Sequence, residues 1–239
     1  MPITNNTQKA KDLNIWYYYH TTMAKRRILP ITLLNLKIVY ELFINKDGIT
    51  IKNLAENLKT DYKNTYNAID FLFNEGIIKK HKIGNYNICK LNYDNNDVIN
   101  YIKWHNLIIK INSFKRKHNI EYGIIMDTIS ELKDRISPFF ICLVFGSYAK
   151  NQEKSKSDID ILFITHKTKL EIIKNSLNKV NAPYQKKFHL VEQNISDFVK
   201  DLKNRSKLTI ATEIYKEPPI VFYGSDIFFK MIVEDNKQW

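Results

Sequence analysis

Residues 146–163 read GSYAKNQEKSKSDIDILF and are bracketed by two short apolar runs, Phe139 to Phe145 and Ile159 to Ile164. Runs this short, rich in β-branched and aromatic residues, read as buried strands. Gly146-Ser147 marks the turn out of the first strand into a short helix, and Ser157-Asp158-Ile159-Asp160 opens the second strand. In an extended strand, residues i and i+2 share a face. Asp158 and Asp160 therefore aim two carboxylates at one spot, while Ile159 and Ile161 face the other way. Paired hard oxygens suit Mg²⁺ (or Mn²⁺), whose shell is completed by waters and substrate phosphates. The Gly146-Ser147 turn offers backbone N–H groups at a helix start, a place for a phosphate, and Ser157 stands ready to assist. The expected class is α+β, with a small mixed sheet flanked by helices.

These residues together resemble the nucleotidyltransferase domain of the DNA polymerase beta superfamily, most closely the minimal bacterial and archaeal members. The pattern Gly-Ser, short helix, Ser-Asp-x-Asp, apolar strand is matched without a gap. Asn151 stands where that family usually has Gly, and Asn tolerates the left-handed backbone such a turn requires. The resemblance covers 137–239 and implies transfer of a nucleoside monophosphate from an NTP to an acceptor, with Asp158 and Asp160 as metal-binding and catalytic carboxylates. It also implies a third carboxylate on a neighbouring strand. That strand is expected at Gln185 to Glu192, and the position falls near His189, a possible metal ligand or base. Glu192 is acidic but has the opposite strand parity, and Ser196 suits the N-cap of a helix through Asp197, Phe198, Val199 and Leu202. The stretch from Glu213 through Gly224 resembles the C-terminal segment of the same family.

The N-terminal half carries a second pattern. Leu33, Leu36, Tyr40 and Phe43 recur at helical spacing. Thr50 suits an N-cap before Ile51, Leu54, Ala55 and Leu58. After the turn Lys59-Thr60-Asp61, a further helix turns Thr65, Ile69 and Leu72 inward and stops at Gly76. A hairpin follows, Ile77–Lys82 and Tyr86–Leu91 around Gly84-Asn85. This order resembles a winged helix-turn-helix, placed at 31–93. The resemblance implies double-stranded DNA as a partner, with Lys63, Asn64, Tyr66 and Asn67 facing the major groove and Lys79, Lys80 and Lys82 contacting phosphates. A protein-docking module is the alternative.

Between these halves, 94–136 reads as linker and packing helices. Val98, Ile99, Tyr101, Ile102, Trp104, Leu107, Ile108, Ile109, Ile111 and Phe114 leave little polar surface, so this stretch is either sandwiched between the halves or forms a homodimer interface, and a homodimer is expected. Lys115-Arg116-Lys117-His118 closes it. Residues 1–30 form an unassigned extension containing Trp16-Tyr17-Tyr18-Tyr19.

Net charge is +12 and favours a polyanionic partner, nucleic acid or nucleotide. No apolar run is long enough to cross a membrane. The two cysteines, Cys89 and Cys142, fall in different halves, which argues against a disulfide framework and fits a cytoplasmic protein. Two functions are carried forward. One is a Mg²⁺-dependent nucleotidyltransferase with a protein, RNA or small-molecule acceptor. The other is a weak or inactive enzyme fold acting as a DNA-binding regulator, or an antitoxin-like protein, that senses a nucleotide or partner.

Overall fold

The computed structural model describes residues 31–84 and 86–237; the N-terminal extension 1–30 and Asn85 of the hairpin turn lie outside the described residues. From Leu33 onward the chain packs as one unit.

The N-terminal half has α1 (Leu33–Ile44), β1 (Ile49–Thr50), α2 (Ile51–Leu58), α3 (Tyr62–Asn74) and a hairpin of β2 (Ile78–Ile83) and β3 (Tyr86–Leu91). Thr50 is the N-cap that the sequence indicates, and Asp61 and Lys59 add caps of their own. The Thr50 side chain accepts from Asn53 N, and that of Asp61 from Asn64 N. Lys59, at φ +51°, ends α2 in a left-handed conformation whose backbone N–H satisfies Ala55 and Glu56 carbonyls. Leu36, Leu54, Ile69 and Leu72 close a small core, and β3 sits between β1 and β2.

The linker continues as α4 (Asp97–His105), a π-helical segment (Asn106–Ile111), α5 (Asn112–Lys117) and α6 (Asn119–Leu132), broken at His118. The apolar pattern does not reveal the π segment. Its first residue, Asn106, is 3% exposed and makes two hydrogen bonds to one strand residue: its Nδ2 donates to Val221 O at 2.7 Å and its Oδ1 accepts from Val221 N at 3.0 Å. An amide thus occupies part of a sheet edge that would otherwise leave backbone groups unpaired. Of the two readings for this stretch, the chain itself buries Val98, Tyr101, Ile102 and Phe114, while Leu107 and Ile108 remain exposed.

The C-terminal sheet has order β6-β5-β4-β7. Its strands are β4 (Phe140–Val144), β5 (Ile159–Thr165), β6 (Phe188–Asn194) and β7 (Ile220–Tyr223). β4 runs antiparallel to β5 and β7, while β5 and β6 are parallel and joined by the crossover helix α8 (Leu170–Asn181). Helices α7 (Gly146–Lys150), α9 (Ile195–Lys203), α10 (Ile210–Lys216) and α11 (Ser225–Lys237) complete it. The mixed α+β class stands. β6 begins three residues later than expected. Ser196 is not the N-cap of α9: Asn194 is, its side chain accepting from Ser196 N. α5, α6 and α8 cover the face bearing Ile159, Ile161 and Phe163. Cys89 and Cys142 are buried free thiols. Among the described residues, no helix is long and apolar enough to cross a membrane.

Candidate functional site

The site begins with strand alternation. Ile159 and Ile161 are buried, Asp158 is exposed and Asp160 is half-buried, so the carboxylates lie opposite the apolar pair. The Phe145 N–H donates to Asp160 O at 3.0 Å, tying the end of β4 to the second aspartate. The next residue, Gly146, has φ +65° and begins α7. A Cβ placed on it would lie 2.3 Å from Asp160 Oδ2. Glycine is therefore required twice, for its backbone conformation and for the carboxylate lying against its Cα.

The α7 turn closes as the sequence suggests. Asn151 adopts φ 55°, ψ 39°, and its backbone N–H caps Ser147 and Tyr148 carbonyls. Gln152 N donates to Ser147 O at 2.9 Å. The Ser157 hydroxyl oxygen accepts from Lys154 N at 2.9 Å, so this side chain shapes the loop ahead of Asp158. Tyr148 donates its hydroxyl to Ser157 O at 3.4 Å. Burial, then the carboxylates of Glu121, Glu153 and Asp158, push the Tyr148 phenol above its usual range, against the pull of Lys186. The loop is also held from the linker, by Lys117 to Asn151 Oδ1 at 2.8 Å and His118 to Glu153 at 3.2 Å.

On β6, His189 lies in register with Asp160. Its Nδ1 is 3.0 Å from Asp160 Oδ1. Glu192 is elsewhere, as its parity demands. Its carboxylate accepts from Thr165 Oγ1 at 2.8 Å and Lys169 N at 2.5 Å, fastening the start of α8. The neighbouring-strand position therefore holds an imidazole. Among the described residues, no three His, Cys, Asp or Glu cluster so as to hold a metal. Asp158 and Asp160 form a two-carboxylate set, which fits an ion shared with substrate phosphates rather than one enclosed by protein alone. A hollow of about 430 Å³, lined by Leu208, Thr209, Ile210, Glu213, Lys216 and Glu217, includes none of these residues.

The second candidate surface is α3 with the hairpin. Lys63, Asn64, Tyr66 and Asn67 are exposed on α3. Of the hairpin lysines, Lys79 pairs with Asp94 at 2.7 Å, and Lys80 pairs with Asp70 at 3.1 Å while lying over the Phe73 ring. Lys82 is exposed and in no ion pair among the described residues. The sequence reading missed Tyr62 and Phe73, both exposed, which with Tyr66 form an aromatic stripe at helical spacing; their i, i+4, i+11 pattern was the available signal.

Residues 127–226 match the family model described as Polymerase beta, Nucleotidyltransferase. The match contains the Gly146-Ser147 turn, both aspartates and His189, and it supports a polymerase beta-like domain here. It does not reach the N-terminal half. No curated protein matches the chain, and no solved structure matches it.

Proposed function

We propose that this protein moves a nucleoside monophosphate from an NTP to an acceptor, which could be a protein, RNA or small molecule. The observation that carries this reading is the Asp160 carboxylate lying against the Cα of Gly146, inside a segment that matches a nucleotidyltransferase family. That contact puts a carboxylate directly beside a turn whose backbone N–H groups suit a phosphate. Asp158 and Asp160 would hold Mg²⁺ or Mn²⁺, which when bound would offset charge developing on the transferring phosphoryl group. Gly146 and Ser147 hold the triphosphate, and Ser157 keeps the loop before Asp158 in shape. The acceptor oxygen forms a bond to the α-phosphorus, and the bond from that phosphorus to the leaving oxygen breaks as pyrophosphate departs. His189 fixes the Asp160 carboxylate through Oδ1, and the acceptor proton leaves to this His–Asp pair.

The N-terminal half is proposed to bind double-stranded DNA as a winged helix-turn-helix. Lys63, Asn64, Tyr66 and Asn67 would face bases or phosphates, and Lys82 a phosphate. Lys79 and Lys80 would first have to leave Asp94 and Asp70. A Lys82→Ala variant should bind DNA more weakly across all sequences, with a shallower salt dependence.

One observation favours a second reading, a DNA-binding regulator that senses a nucleotide. His189 occupies the neighbouring-strand position of a third carboxylate, and Glu192 is engaged in capping α8. Incubation with Mg²⁺ and each α-labelled NTP, alone and with cell lysate, separates the two. Label transferred by the native protein and lost in Asp158→Ala/Asp160→Ala supports the enzyme. NTP binding without transfer under every condition supports the regulator.

A further inference from the structure

Helix α7 spans only Gly146–Lys150, too short to hold its own orientation. Its first end is set by Gly146 against Asp160. Its last residue, Lys150, forms ion pairs with two carboxylates, Glu213 Oε1 of α10 at 3.8 Å and Glu217, which caps the end of that helix. An isolated surface pair would contribute little. Here one ammonium joins two carboxylates on a separate element, and that element is itself anchored.

α10 begins with a reciprocal capping box between Thr209 and Thr212. From its last turn onward, the segment 215–219 has the carbonyls of Tyr215, Pro218 and Pro219 held by side chains from the N-terminal half and the linker. Lys46, after α1, donates to Tyr215 O at 2.9 Å. Lys110, in the π segment, donates to Pro218 O at 2.5 Å and Pro219 O at 3.3 Å. The Tyr40 hydroxyl reaches Pro218 O at 3.4 Å. A continuous path of contacts thus runs from α1 and the linker, through 215–219 and α10, to Lys150 and the turn beside the aspartates.

We propose that Lys150, gripped by Glu213 and Glu217, is a positioning residue for the Gly146-Ser147 turn, and that Lys46 supports the same turn from the N-terminal half by anchoring α10. The proposal rests on the nucleotide-binding reading of that turn. It differs from a direct phosphate-binding role for Lys150. If Lys150 bound phosphate itself, releasing it from the glutamates would strengthen NTP binding. If it positions α7, releasing it weakens binding as removing it does.

The test uses the full chain and its variants Lys150→Met, Lys150→Arg, Glu213→Gln/Glu217→Gln and Lys46→Met. Two readouts are taken: backbone amide hydrogen exchange over 146–151 without nucleotide, and binding of Mg²⁺-NTP. Positioning predicts exchange over 146–151 faster by about tenfold or more in Lys150→Met and in the double glutamine variant, with a smaller increase in Lys46→Met. Lys150→Arg should restore most of the protection. NTP binding should weaken in the same order. Unchanged exchange in both Lys150→Met and the double variant overturns the proposal, as does tighter NTP binding in the double variant. If the native protein binds no NTP, the nucleotide-binding reading fails, while the exchange data still decide whether Lys150 positions the turn.

Discussion

The contact between Gly146 and Asp160 allows a prediction worked from geometry alone. Gly146→Ala places a methyl group 2.3 Å from Asp160 Oδ2, where ordinary contact begins at 3.4 Å. The carboxylate must retreat by about 1 Å, and a 1 Å error at reacting groups can cost about 100-fold in rate. Retreat also strains the 3.0 Å approach of His189. Two energies add in the folded state. An alanine at φ +65° costs about 1–2 kcal/mol, and the overlap costs about 1–3 kcal/mol more. The second contribution vanishes if Asp160 is first cut to alanine, because the remaining Asp160 Cβ lies at an ordinary 3.5 Å. Urea unfolding of the native protein, Gly146→Ala, Asp160→Ala and the double variant forms a complete cycle. Gly146→Ala should cost about 2–5 kcal/mol in the native background and about 1–2 in the Asp160→Ala background. Equal costs in both would refute the reasoning. Full retention of NTP binding by Gly146→Ala would sever this contact from function.

Other consequences follow from groups farther from the aspartates. Burial lowers the Lys110 pKa from the usual lysine range to about 7, so between pH 7 and 10 the folded chain releases a proton that the unfolded chain keeps. Stability should therefore be lowest below pH 7 and climb by up to about 1.4 kcal/mol per pH unit above it, with a shallower climb in Lys110→Met, measured by denaturant midpoints from pH 6.5 to 9. Lys46, lowered to about 6 by burial and then by Arg205, acts with the same sign and leaves some slope in that variant. Glu192→Ala should destabilise by about 1–3 kcal/mol by leaving the Lys169 N–H without its acceptor, with no change in the Mg²⁺ dependence of NTP binding; a changed metal response would make Glu192 part of the site. Asn106→Ala strands both backbone groups of Val221 and should cost about 2–4 kcal/mol in thermal or urea unfolding, whereas a loss under about 0.5 would mean that water takes over both bonds.

What the sequence made legible is what short-range chemistry determines. Thr50 announced its helix start because an N-cap needs a side-chain oxygen within three residues, and Asp61, read only as part of a turn, does the same for α3. Asn151 was readable as a left-handed turn residue for the same local reason. The Asp158/Asp160 pair followed from strand alternation, while His189 was placed by the family resemblance, and the parallel pairing of β5 and β6 sets it in register with Asp160. Ser196 was misread as a cap because Asn194, two residues earlier, offers an equally good oxygen and the first residue of α9 was unknown. The role of Glu192 stayed hidden because its partners, Thr165 and Lys169, lie across a strand and a loop, distances that no local spacing encodes.

The same division explains why the aspartates were evident and their supports were not. Every element at the carboxylates is short: a five-residue helix, a loop shaped by Ser157, and a strand end. Such pieces have few internal bonds and take their orientation from what surrounds them. The surrounding groups here are long cationic and amphipathic side chains from distant segments: Lys150 from α7 to α10, Lys117 and His118 onto the loop, and Lys46 and Lys110 onto 215–219. In the sequence each reads as one more basic residue on a surface, because a lysine's reach says nothing about its destination. Two of them, Lys46 and Lys110, have ammonium groups withdrawn far enough from water to depress their pKa values, which an incidental surface contact would not do. The formal net charge of +12 therefore cannot all be assigned to a polyanionic partner, since burial lowers the charge on Lys46 and Lys110, and Lys150 is engaged with the chain's own glutamates.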